Sequence, residues 1–144
     1  MRGFEAKASV MIKADAERVW RALTDPALIK RYLFGTEVDC DWKVGSPISY
    51  RGTWEGRAYE DKGRIVELIP RKRLDSTYWS SMSGKADLPE NYSLVSYTLE
   101  EKAGAILLSL SQDNNDSEES AAHSTANWEM VLRGMRDLLE GGKI

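Results

Sequence analysis

Histidine and cysteine occur once each in this chain of 144 residues, as His123 and Cys40. Together they cannot supply the nitrogen and sulfur ligands of a zinc centre, and a lone cysteine makes no internal disulfide. A reducing compartment is the simpler expectation. Long apolar runs are missing as well: nothing approaches the ~20 residues of a membrane span. The opening Met1-Arg2-Gly3-Phe4-Glu5-Ala6-Lys7 lacks the apolar stretch of a signal peptide. A cytoplasmic location with no membrane partner is therefore expected. Charge of one sign is also scarce, with 20 basic residues interspersed among 23 acidic ones. No basic face of the kind a nucleic acid needs is evident. The densest basic cluster, Arg71-Lys72-Arg73, reads as a solvated turn.

Several chemical motifs are absent. There is no Gly-x-Ser-x-Gly elbow for a nucleophilic serine, so His123, placed early in a helix near Glu119, reads as a surface histidine. Gly52, Gly56 and Gly63 stand singly at turns or bulges and do not open a helix as a phosphate cradle would. The acidic run Asp113 to Glu119 lacks the alternating ligands and central glycine of a calcium loop, and is read as a helix-capping loop. Cys40 is expected as a small packed hydrophobe. No catalytic residue, metal or cofactor is assigned.

What the sequence does contain is a clear change of period. Phe4, Ala6, Ala8, Val10 and Ile12 alternate with polar residues as an opening strand. Asp15 can cap a short helix whose face carries Ala16, Val19, Trp20 and Leu23, and Asp25-Pro26 starts a second with Leu28, Ile29, Tyr32 and Leu33 buried. Six strands are then expected, at about 37–42, 48–54, 57–69, 73–80, 92–100 and 105–112, with 81–91 the longest loop. Asp116, with Glu119 three positions on, has the spacing of a capping box for a final helix. Trp128, Val131, Leu132, Met135, Leu138 and Leu139 give that helix a wide apolar stripe, and Gly141-Gly142 releases it. One domain covering 1–144 is expected, of α+β class, with an antiparallel sheet that carries its helices on one face.

The residues that spell Ile12-Lys13-Ala14-Asp15-Ala16-Glu17-Arg18-Val19-Trp20-Arg21-Ala22-Leu23-Thr24-Asp25-Pro26 carry a resemblance. So do Gly63-Arg64-Ile65-Val66-Glu67-Leu68-Ile69-Pro70 with Arg73-Leu74, Leu108 to Asn114, and Asn127-Trp128 with Val131-Leu132. Together they resemble the activator of heat-shock-protein-90 ATPase homologue-like family, within the START-like (SRPBCC, birch-pollen-allergen-like) superfamily. The resemblance implies a helix-grip fold: a curved antiparallel sheet around a long C-terminal helix, two short helices after the first strand, and a cavity between sheet and last helix. It implies binding more than a reaction. The chain departs from the family pattern at Tyr32, Gly45-Ser46 and Asn127, where tryptophan, Gly-Gly and glycine are common.

Aromatic rings are the informative feature, because they offer area together with a hydroxyl or N–H handle. Alternation groups Ile48, Tyr50, Leu74, Tyr78, Val95, Tyr97, Leu99, Leu108 and Leu110 on the concave face, with Trp128, Leu132 and Met135 descending from the helix. Tyr32 joins them from the second helix. The resemblance turns Val66 and Leu68 inward and leaves Glu67 in solvent; Trp79, opposite in parity to Tyr78, is expected outside, at a rim or a dimer contact. The expected cavity residues are thus Tyr32, Tyr50, Val66, Leu68, Tyr78, Val95, Tyr97, Leu108, Leu110, Trp128, Leu132 and Met135. The expected partner is a hydrophobic or lipid-like small molecule, and the expected state a monomer or homodimer. A cyclase or dehydratase using Tyr50, Tyr78 or Tyr97, and a chaperone-regulating interaction domain, are the alternatives.

Overall fold

The computed structural model describes residues 3–141. Met1, Arg2 and Gly142, which entered the leader and helix-release readings, lie outside the described residues, as does the side chain of Trp54. The two aspartates start helices as expected. Asp15 Oδ1 accepts the Arg18 N–H at 2.8 Å and opens α1 (Ala16–Thr24), and Asp25 Oδ1 accepts the Ala27 N–H at 3.0 Å and opens α2 (Pro26–Tyr32). Before them lies β1 (Phe4–Ile12). After them come β2 (Glu37–Cys40), β3 (Pro47–Trp54), β4 (Arg57–Ile69), β5 (Arg73–Tyr78), β6 (Ser93–Lys102) and β7 (Ala105–Asn115), then α3 (Glu118–Glu140).

The strands form one curved, fully antiparallel sheet in the order β1-β7-β6-β5-β4-β3-β2. The arrangement is an α+β helix grip. α3 seats its stripe along β1, with Leu132, Met135 and Leu139 fully buried beside Ile12, Val19, Ile106 and Leu108. Each such side chain contributes about 1.5–3 kcal/mol by leaving water. The helix end is tied down by Arg18 Nη2, which donates to Leu139 O at 2.7 Å, and by Glu140, whose Oε2 accepts the Lys13 N–H at 2.9 Å.

Three expectations need correction. The polar run is not a capping loop throughout: Asp113, Asn114 and Asn115 extend β7. Their side chains satisfy backbone groups there, Asp113 Oδ1 accepting from Leu94 N–H at 2.7 Å and Asn115 Nδ2 donating to Phe4 O at 3.0 Å. The cap of α3 is Ser117, whose Oγ accepts the Ser120 N–H at 3.0 Å, and not Asp116, which pairs with Lys85.

The third correction concerns Val66. Register slips between Ile65 and Glu67 where β4 pairs with β5. One extra residue in a strand reverses the facing of everything beyond it. Ile65 is therefore buried at 1% exposure and Val66 turned out at 48%, while Leu68 returns inward against the core and Glu67 stays in solvent. Close to this slip, Gly63 lets β4 and β5 approach: a Cβ there would stand 1.7 Å from Thr77 O.

Candidate functional site

The same placement that buries the second half of α3 against β1 leaves its first half crossing the wide part of the sheet. Beneath it, over β3 to β6, lies a cavity of about 550 Å3. Its floor is apolar: Ile48, Ile65, Leu74 and Val95 from the sheet, Ile29 from α2 and Val131 from α3, all buried. Five tyrosines stand around it. Tyr32 comes from α2, Tyr50 from β3, Tyr59 from β4, Tyr78 from β5 and Tyr97 from β6. Three lining residues that are largely exposed, Phe34, Met82 and Met130, mark where it opens to solvent, with His123 and Asn127 on the exposed face of α3 beside them.

Most of the polar atoms in the wall are tied together. Asp61, opposite Tyr50 in the β3–β4 register, is 9% exposed. Its Oδ2 accepts from Tyr78 Oη at 2.7 Å, and its Oδ1 accepts from Ser81 N–H at 2.9 Å and Ser81 Oγ at 3.3 Å. Tyr32 Oη donates to Ala22 O at 2.9 Å, and the hydroxyls of Thr36 and Tyr59 share a bond of 2.6 Å. Gly52 makes room for that last ring, since a Cβ there would lie 2.5 Å from Tyr59 Oη. Tyr50 and Tyr78 meet edge to face at 5.8 Å, and Tyr97 and Trp128 do the same at 6.4 Å.

Burial is the main reason the phenols of Tyr32, Tyr50, Tyr78 and Tyr97 are held above the ordinary tyrosine range, and the Asp61 carboxylate adds to it at Tyr50 and Tyr78. They stay protonated at any physiological pH. Such groups give and receive hydrogen bonds; they are neither bases nor phenolate nucleophiles. Among the described residues, no cluster of histidine, cysteine, aspartate and glutamate could hold a metal ion, and no helix is long and apolar enough to cross a membrane.

The family description "Activator of Hsp90 ATPase homolog 1-like protein" matches residues 13–140, almost the whole of the fold just described. The chain belongs to that family. Among solved structures, ChR145 from Cytophaga hutchinsonii is 42% identical, with a TM-score of 0.86 over 99% of this chain and 97% of that one. CalU16 from Micromonospora echinospora is 26% identical over 88% of this chain and 70% of that one, with a TM-score of 0.69. The Aha1 dimer from Colwellia psychrerythraea shares the fold at 21% identity, covering 98% and 99% of the two chains with a TM-score of 0.75. No curated protein matches the chain.

Of the residues expected in the cavity of this family member, Tyr32, Tyr50, Tyr78, Val95, Tyr97 and Trp128 line it. Leu108, Leu110, Leu132 and Met135 do not. They sit at 0–2% exposure in the solid core under the second half of α3. Leu68 packs at the edge of that core, and Val66 lies on the outer face. Trp79 also faces outward, stacked on Tyr92 at 6.4 Å with Lys62 over its ring at 5.7 Å. Asp61 escaped the sequence reading, although its parity with Tyr59, Gly63 and Ile65 was available. Had Ile65 set the inward face of β4, Asp61 would have followed.

Proposed function

We propose that this chain is a binding module that holds one hydrophobic or amphipathic small molecule between its sheet and α3, without performing a reaction on it. The observation that carries the reading is the cavity of about 550 Å3, apolar in its floor and ringed by tyrosines. That volume lies inside the ~300–1,000 Å3 that drug-sized ligands occupy. The phenols favour this reading over a cyclase or dehydratase, because they stay protonated and supply hydrogen-bond partners, while the carboxylate of the wall, Asp61, is held in bonds from Tyr78 and Ser81.

The test is a thermal-shift screen of sterols, fatty alcohols, flavonoids and short polyketides. A ligand at ~100 times its dissociation constant adds about 2.7 kcal/mol, which is a few degrees for a chain of this size. The same ligand should leave Val95→Phe unshifted, since that ring points into the space. A screen with no shift from any class would defeat the proposal.

A further inference from the structure

The cavity wall contains a single carboxylate and nothing to balance it. Asp61 is the one acidic residue in the lining, and neither lysine nor arginine accompanies it among the described residues. The one basic side chain there, His123, is exposed at the opening. A carboxylate offers about four acceptor positions. Among the described residues, Tyr78 and Ser81 fill three, two of them on Oδ1 and one, from Tyr78, on Oδ2. Asp61 thus has one acceptor position left. Its near neighbours in the wall, Tyr50 and Ser76, are hydroxyls and carry no charge.

We propose that the cavity selects ligands whose polar end donates a hydrogen bond and carries no negative charge, with Asp61 as the acceptor, and that it rejects carboxylates and sulfonates. This rests on the binding reading above and names the ligand class for the same site. An anionic ligand would bring a second negative charge beside Asp61. The floor there is apolar and the wall holds no lysine or arginine among the described residues. A buried charge without a partner is strongly disfavoured. A phenol, alcohol or amine N–H meets the opposite situation: a charged acceptor, which makes stronger hydrogen bonds than a neutral one.

Two dyes with one skeleton separate the cases. N-phenyl-1-naphthylamine is neutral and bears an N–H; 8-anilino-1-naphthalenesulfonate differs from it by the sulfonate. Fluorescence titration of the intact protein should give the neutral dye at least about a tenfold tighter dissociation constant, the size expected for one unbalanced charge near another. Displacement of the bound neutral dye should rank 2-naphthol above 2-naphthoate. In Asp61→Asn, which keeps the shape and removes the charge, the gap between the dyes should shrink to about threefold or less. Equal affinity of the two dyes for the wild-type chain overturns the selectivity and leaves the binding reading standing. Binding of neither dye overturns both. An undiminished gap in a folded Asp61→Asn protein removes Asp61 from the role. Should that variant not fold, the wild-type comparison still decides.

Discussion

Trp128 Nε1 donates to Gln112 Oε1 across 2.7 Å, joining the first half of α3 to β7 at the edge of the cavity. The ring is half-buried and meets Tyr97 edge-on, so it serves as wall and strut together. Trp128→Ala should cost about 2 kcal/mol, below the ~3–5 kcal/mol of a fully buried tryptophan. Gln112→Leu should cost about 1 kcal/mol for the lost bond. Urea unfolding of each single variant and the double variant checks this: because the two share one bond, the double should lose less than the sum.

Gly63 and Gly56 separate two roles of glycine. At Gly63 an added Cβ meets Thr77 O at 1.7 Å, and backbone cannot yield as a side chain would. At Gly56 the φ is +78° but the space is open. Gly56→Ala should therefore cost about 1 kcal/mol for the strained backbone. Gly63→Ala should cost more than about 3 kcal/mol or prevent folding, as the largest single-site losses do. Comparable unfolding midpoints for the two would contradict the close approach of β4 and β5.

The slip in β4 has an equally direct test. Ile65→Ala should lose about 2–5 kcal/mol, the range for a buried aliphatic truncation. Val66→Thr should stay within about 0.5 kcal/mol, as exposed substitutions do. A reversed order would restore the unbroken alternation of the strand.

This strand also shows how much of the fold the sequence conveyed. Seven strands, both aspartate caps on the short helices and the stripe of α3 were legible, because period and capping chemistry are local signals. The bulge was not: nothing in Gly63-Arg64-Ile65-Val66-Glu67-Leu68 distinguishes an extra residue from steady alternation, since apolar residues occur on both parities. The site was half legible for a related reason. Alternation identifies which side chains point inward, but not where α3 fills the space and where it stands off. Leu108 and Tyr97 both point inward, and only the path of the helix makes one of them core and the other cavity wall.

The buried phenols predict a pH dependence. Tyr32, Tyr50, Tyr78 and Tyr97 hold their protons in the folded chain above the ordinary value of 10.0, which the unfolded chain keeps. Below that value both states are protonated and the stability is fully present. As pH rises past it the unfolded chain releases protons that the folded chain retains, so stability falls, by about 1.4 kcal/mol per pH unit for each tyrosine. Absorbance at the phenolate band should show these four titrating only with unfolding. Smooth titration of all six tyrosines while the far-ultraviolet dichroism stays native would refute their burial.

The pairing of β1 with β7 joins Phe4 to Asn115 at one end and Ile12 to Ile106 at the other. Among the described residues, β1 thus has one neighbour in the sheet, and it is β7, the strand farthest from it in the sequence. Until that partner is in place, Ala6, Ala8 and Ile12 have no lasting shelter, and α3 has no bed to lie in. With β7 out of place, the pairing edge of β1 and its apolar side chains are both left uncovered, which is the condition under which strands pair wrongly. The chain's early residues wait on its late ones to complete both the sheet and the chamber.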